Sequence, residues 1–294
     1  MTESATNTYA KRIARVCGHI DQHLNQTLTL EALSKVAAFS KYHFHRVFSA
    51  YTGMSVTRYI QLARLKRASF RLAFDSEKRV IDIALEAGFE SPEAFARAFK
   101  RTFAQSPSEF RVEPNWPQWH LRFQFNPNNI QPQTDGTTPM NVNIIQMETT
   151  KVALLEHLGA PEKVLETAGK FIAWRKATCL SPVKTSKTFG IPYSDPKTTA
   201  PEEFRWDVCG TIDSDVPENE YGVKTGYIPG GKCAVVRHHG SHDNLDTSIY
   251  AFYREWLPSS GEEVRDFPCF FHYINFIHQV DECDLLTDIY FPLK

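Results

Sequence analysis

The chain has 294 residues, 42% hydrophobic and 23% charged, with a formal net charge of −1 at pH 7. That length exceeds what one hydrophobic core usually serves, so two domains are expected, and the composition excludes disordered, fibrous and disulfide-scaffold classes. The small net charge hides an asymmetry: residues 1–111 carry 17 Lys+Arg against 10 Asp+Glu, whereas the remainder carries 16 against 24. A basic first half is the electrostatic footprint of a polyanion-binding domain, and the acidic second half is not expected to share that partner.

The N-terminus, Met1 to Ala10, is polar and no run of about 18 apolar residues follows, so a cytoplasmic protein without membrane contact is expected. Leu28–Ala37 reads as a short helix, a turn follows through Phe39, and Ser40 is placed to N-cap a second helix running to about Tyr51, which Gly53 ends. On that helix Phe44, Val47, Phe48 and Tyr51 form one apolar face. Tyr42, His45 and Arg46 point away. The pattern recurs: Val80–Ala87, a turn at Gly88, Ser91 as cap and Pro92 in the first turn of a helix to about Phe103, with Glu93, Ala96, Arg97 and Lys100 outward. Between the two units Val56–Asp75 reads as one helix of about 20 residues carrying Arg58, Arg64, Lys66, Arg67 and Arg71 with no acid between Ser55 and Phe74. Some of these cations, Arg58 and Arg64 among them, are expected to meet phosphate.

Helical patterning ends near Arg111, and residues 113–139 hold Pro114, Pro117, Pro127, Pro132 and Pro139, too many for one helix or a central strand. They read as a linker, its core at Asn126–Pro139, with Trp116–Phe125 free to pack back on a domain. Beyond it an internal repeat runs at a constant offset of 81 residues, pairing Ala153 with Ala234, His157 with His238, Gly159 with Gly240, Phe171 with Phe252, Phe189 with Phe270 and Asp207 with Asp288. A strand-helix-strand-strand unit used twice is expected. The fold expected is therefore multidomain. An all-α N-terminal domain of two helix-turn-helix units joined by a long helix (1–112) and the linker (113–139) precede an α+β domain of duplicated units (140–294).

The segments SKYHFHRVFSAYTGMSVTRYIQLARLKRA and IDIALEAGFESPEAFARAFKRTFAQSPSEFR closely resemble the AraC/XylS family of transcription regulators over about residues 9–112. The resemblance implies sequence-specific binding of double-stranded DNA and work with RNA polymerase. Base-contacting positions in the family match Tyr42, His45, Arg46, Glu93, Ala96 and Arg97. Of these, Arg46 and Arg97 have the fork that reads guanine, and Lys100 is suited to phosphate. Glu93 and Ala96 depart from the polar neutral donors common in the family. The segments IPYSDPKTTAPEEFRWDVC, GGKCAVVRHHGSHDNL, REWLPSSG and LLTDIYFPLK resemble the GyrI-like effector-binding domain over about residues 140–294. That resemblance implies a cleft between the repeats lined by aromatics, for which Trp174, Tyr193, Trp206, Tyr250, Trp256, Phe271 and Tyr273 are the candidates. Members that take lipophilic cations carry a buried Glu where this chain has Phe271, so a small neutral or amphipathic effector is expected.

Several patterns invite other readings. Gly226–Lys232 spells GxxxxGK, but Cys233 replaces the magnesium-binding hydroxyl and a strand-like run follows in place of a helix. His238, His239 and His242 read as a solvated loop, not a metal site. The six cysteines show no CxxC pairing and read as reduced, mostly buried thiols. No catalytic residue, metal or cofactor is expected, so the chain is not expected to be an enzyme. A regulator controlled by protein contacts or abundance alone, and a hydrolase fused to a DNA-binding domain, stand as alternatives.

Overall fold

The computed structural model describes residues 3–123, 140–196 and 199–294. The chain forms two compact units: residues 1–139 with 277–283, and residues 140–276 with 284–294. The linker core at 126–139 lies outside the described residues.

The first unit is helical: α1 (Glu3–Gln22), α2 (Leu30–Val36), α3 (Lys41–Thr52), α4 (Val56–Phe74), α5 (Val80–Glu86), α6 (Pro92–Phe103), α7 (Pro107–Val112) and α8 (Trp116–Phe123). Local chemistry sets the ends. The Ser40, Ser55 and Ser91 hydroxyls accept from the backbone N–H of His43, Arg58 and Ala94, closing the N-termini of α3, α4 and α6. Ser106 and Glu109 form a reciprocal capping box on α7. Gly53, at φ 72°, ends α3 in the left-handed region.

The helix-turn-helix turn is built twice from the same bonds. Phe39 N–H donates to Ser34 O (3.0 Å) and Phe89 N–H to Ala84 O (3.1 Å), around a left-handed residue at Ala38 (φ 53°) and Gly88 (φ 73°). Glycine takes that conformation without strain; alanine does not.

The apolar faces then close two cores. Ile13, Val16 and Ile20 of α1 meet Leu33, Phe44 and Phe48 around the first helix-turn-helix. Around the second, Phe95, Phe99 and Phe103 pack with tilted rings, and Phe110 meets Phe99 edge to face. The stretch that reads as the start of the linker belongs here. Trp116 and Trp119 of α8 are buried, Trp116 stacks on Phe74, and Trp119 Nε1–H donates to Ser69 Oγ at 2.7 Å. Pro117 fits because it sits in the first turn of α8, where its missing N–H has no helical acceptor.

The second unit is one eight-stranded antiparallel sheet in the order β1-β6-β8-β7-β3-β4-β2-β5. Its strands are β1 (Val142–Met147), β2 (Thr150–Leu158), β3 (Thr188–Pro192), β4 (Arg205–Thr211), β5 (Lys224–Ile228), β6 (Gly231–His239), β7 (Phe270–Tyr273) and β8 (Leu286–Pro292). One repeat is β2, α9 (Val164–Thr178), β3 and β4. The other is β6, α10 (Leu245–Ala251) with its wider continuation Phe252–Trp256, β7 and β8. The two meet where β3 pairs with β7.

Residues 81 apart perform the same task. His157 Nε2 meets Ala160 O at 3.1 Å and its Nδ1 meets Thr167 Oγ1 at 2.8 Å; His238 meets Ser241 O and Ser248 Oγ at the same distances. A carbonyl only accepts, so Nε2–H donates to it, and the contact of Nδ1 with a helix hydroxyl ties strand to helix. His238 is thus buried at the end of β6, not part of a solvated loop as its sequence neighbourhood suggests. Burial lowers its pKa.

Candidate functional site

On α3 the apolar face buries Phe44 and Phe48 and leaves His45 and Arg46 exposed. The side chain of Tyr42 lies outside the described residues. On α6 Phe95, Ala98, Phe99 and Phe103 are buried, Glu93, Arg97 and Lys100 are exposed, and Ala96 is half-buried. The outward positions of both second helices are therefore presented together with a cation each, Arg46 and Arg97. Glu93 is turned to its own helix end. Its backbone amide and the Ser91 hydroxyl hold its carboxyl below the usual range, so part of its acceptor capacity caps α6.

The cations of α4 divide into two kinds. Arg58, in the first turn, is half-buried, and its Nη1 donates to Gln61 Oε1 at 2.8 Å. Arg64 turns inward: Nε donates to Leu24 O (3.1 Å) and Nη2 to Gln26 O (2.9 Å), and its guanidinium lies against Gly88. The expected phosphate contact at Arg64 is replaced here by backbone carbonyls of the segment before α2. Deeper still, and within the first unit, Arg67 donates to Asp281 (2.9 and 3.1 Å) and to Glu86 O (2.6 Å), and Arg71 pairs with Glu86.

In the second unit, cross-strand pairs on one face run Val236, Ile289, Phe271, Gly190, Val208, Leu155 across six strands. This face carries the helices, since Ala153, Leu155 and Val208 pack with Phe171 of α9 and Val236, Ile289 and Phe271 with Leu245 and Phe252 of the second helical segment. Glycine stands at the seam between the repeats, and neighbours fill the space its missing side chain leaves. A Cβ at Gly190 would lie 2.6 Å from Tyr273 Oη and 2.9 Å from Trp206 Cζ2. Phe271 is 3% exposed with its ring 5.5 Å from that of Trp206.

Trp206, Phe271 and Tyr273 are thus brought together. The other four candidates are not. Trp174 is a wholly buried residue of α9, stacked on Phe171; Trp256 stacks on Phe252. Tyr193 lies on the opposite face under the Arg205 guanidinium at 4.0 Å, and Tyr250 Oη–H donates to Asp195 Oδ2 at 3.3 Å. The opposite face holds an Arg–Asp pair in each repeat, Arg205 with Asp207 along β4 and Arg237 with Asp288 across β6 and β8; only the aspartates occupy equivalent positions. Trp206, Phe271 and Tyr273 were all among the aromatic candidates of the sequence; that they meet at Gly190 follows from the pairing of β3 with β7.

The six cysteines stand outside any disulfide, with Cys17, Cys209 and Cys233 buried, Cys179 exposed, and Cys269 and Cys283 half-buried. Gly226–Lys232 is the end of β5, the turn and the start of β6, where Lys232 pairs with Glu262 at 2.6 Å. Among the described residues no group of three or more His, Cys, Asp or Glu side chains is arranged to hold a metal, and no helix is long and apolar enough to cross a membrane.

Two helix-turn-helix units on a shared helix, followed by a duplicated strand-helix-strand-strand sheet, define a two-domain regulator of the DNA-binding kind. Residues 140–294 match the model of the GyrI-like small molecule binding domain, and residues 33–113 match a helix-turn-helix domain of AraC type. The chain belongs to the GyrI-like family and joins that domain to an AraC-type DNA-binding domain. Its second half is similar to the probable transcriptional regulator YgiV of Escherichia coli K12, 47% identical over 154 residues, 52% of this chain and 96% of that one. Its first half is similar to the HTH-type transcriptional regulator YbfP of Bacillus subtilis 168, 42% identical over 104 residues, 35% of each chain. Among solved structures, an EcmrR–DNA complex covers 90% of this chain and 98% of its own at 14% identity, with a TM-score of 0.45.

Proposed function

We propose that the chain is a ligand-responsive transcription regulator that reads two DNA segments through α3 and α6 and takes a small neutral or amphipathic effector at the seam between its sheet repeats. The supporting observation for DNA is the pair of capped helices that expose Arg46 and Arg97 on a unit with a basic excess. Tyr42, His45, Glu93, Ala96 and Arg97 select bases with Arg46, while Arg58 and Lys100 meet phosphate and RNA polymerase is the partner at the promoter. Arg64 belongs to the scaffold that holds them. We assign residues 1–112 to DNA, 140–294 to the effector and the cytoplasm as the compartment.

The effector reading rests on the seam row, which holds an aromatic and aliphatic residues around Gly190 and no acid. A desolvated cation there has only ring faces as partners, which are weaker than an ion pair. Trp206 and Tyr273 must turn aside to admit a ligand, whereas Tyr193, Tyr250, Trp174 and Trp256 pack away from Gly190 and are not assigned to the site. A catalytic role has no support. Burial pushes the Cys17 thiol up to about 12 and Cys269 up to about 11, far from the thiolate a nucleophile needs.

Genomic footprinting of the bound sites, followed by anisotropy titrations of those duplexes, tests the DNA reading. Arg97→Ala should cost about 1–3 kcal/mol on the specific site and relax its preference. Nile red, neutral, and rhodamine 6G, cationic, test the seam on the full chain. Micromolar binding of the cation at the seam, lost on Phe271→Ala, would overturn the neutral-effector reading.

A further inference from the structure

The helix α8 lies beyond the residues matched as a helix-turn-helix domain, which end at 113, and its role is not that of a connector. Three contacts pin it. Trp119 hydrogen-bonds Ser69 in the middle of α4, Phe123 packs on Phe103 at the end of α6 (5.9 Å between ring centres), and Lys66 Nζ sits over the Phe123 ring at 5.6 Å. From Ser69 to Lys66 the contacts move toward the start of α4 as α8 moves toward its end, so the two helices run antiparallel. The last turn of α8, with Arg122, therefore faces the middle of α4 and the end of α6.

Arg101 stands two residues before Phe103 and Arg122 one before Phe123, so the ring contact between those two phenylalanines brings the exposed arginines at the ends of α6 and α8 side by side. Arg58, nearer the start of α4, feels both charges: burial first, and then Arg101 and Arg122, lower its pKa. Arg101 and Arg122 are exposed, and among the described residues no carboxylate pairs with any of the three. Elsewhere in this unit cations do find acids: Lys35 meets Glu31, Lys66 meets Glu282 and Arg79 meets Asp82. Holding like charges together without an anion costs free energy, which an anion between them recovers.

The cluster is continuous with the reading surface. Arg101 follows Arg97 by four residues, one helical turn, and both are exposed on α6. Arg58 also lines an open groove of about 660 Å³ with Thr57, Gln61 and Gln26, which supplies further polar groups beside it. We propose that Arg122, with Arg101 and Arg58, forms a phosphodiester-binding patch through which α8 extends the DNA footprint beyond the two helix-turn-helix units. The proposal rests on the DNA reading above. Because α8 is already packed by Trp116 and Trp119, its ordering is complete before DNA arrives.

The test uses the full chain and a footprinted duplex, alongside a scrambled duplex of the same length, with affinity measured from 50 to 200 mM salt. Each phosphate contact contributes about 0.9 to the slope of log K against log salt, so Arg122→Gln should lower the slope by about that much. Across the fourfold salt range that is a change of about 3.5-fold in the ratio of affinities. The loss should be the same on both duplexes, Arg101→Gln should behave alike, and Arg122→Lys should keep the wild-type slope. A wild-type slope for Arg122→Gln overturns the patch, as does a loss confined to one base pair or a weakening without a slope change, the mark of disturbed packing. If the wild-type chain binds neither duplex, the DNA reading fails and the patch with it.

Discussion

Replacing Gly190 by alanine tests the packing at the seam between the repeats, because two known effects predict opposite signs. The backbone there is not in the left-handed region, so the substitution alone would stabilise by about 0.4–1 kcal/mol through the unfolded chain. Against this, the new Cβ would stand 2.6 Å from Tyr273 Oη and 2.9 and 3.2 Å from two Trp206 ring atoms. Unstrained carbon contacts fall near 3.5–4.0 Å, so one or both rings must retreat by about 0.5–1 Å. Both belong to the packed core that includes Phe271 and Ile289. Overpacking of this kind costs about 1–3 kcal/mol, and the net effect should be destabilising, with melting lowered by roughly 2–4 °C per kcal/mol. Two-domain unfolding blurs a single transition, so amide hydrogen exchange of peptides spanning 188–192 and 270–273 is the sharper readout alongside the melt. Tyr273→Phe removes the nearest atom, and the double variant should regain part of the loss as a coupling energy. A Gly190→Ala chain as stable as wild type, with unchanged exchange on both strands and no coupling to position 273, would refute the described packing.

Three other outcomes follow from the same physics. Ala38→Gly should stabilise the first unit by about 0.5–1 kcal/mol, since the left-handed strain of alanine exceeds the entropy glycine adds to the unfolded chain; an unchanged denaturant midpoint would contradict the repeated turn. Arg64→Ala should cost about 1–3 kcal/mol of stability, by leaving Leu24 O and Gln26 O without their donor, and calorimetry without DNA distinguishes this from a phosphate contact. His272 has a buried Nδ1 with no hydrogen-bond partner, and burial, then the Lys187 charge, lower its pKa to about 4. The unfolded imidazole takes its proton near pH 6.5, so acid favours unfolding and stability should fall as pH drops from about 6.5 toward 4. His272→Phe should flatten that part of the stability profile, and an unaltered profile would place the titration elsewhere.

Two features were readable along the chain because their causes are local. Serine caps, the apolar spacing on α3 and α6 and the turn before each act within a few residues, so both helix-turn-helix units and the faces of Arg46 and Arg97 were legible before folding. The duplicated sheet was legible for another reason: the 81-residue register repeats the same side-chain tasks, down to His157 and His238. The fates of the cations on α4 depended on tertiary structure. Arg64 finds carbonyls 40 and 38 residues earlier, whereas Arg67 finds Asp281, 214 residues later, and periodicity within a helix carries no record of such partners. Trp116 and Trp119 stood in a proline-rich stretch that the sequence left open as linker or as packed against a domain, and their contacts with Phe70 and Phe74 decided it. Seven aromatics looked equally fit to line a cleft, yet three converge on Gly190 while Trp174 and Trp256 support the helices. Burial depends on which strands lie side by side, and the β3–β7 pairing that joins the repeats is a long-range contact with no local signal at either strand.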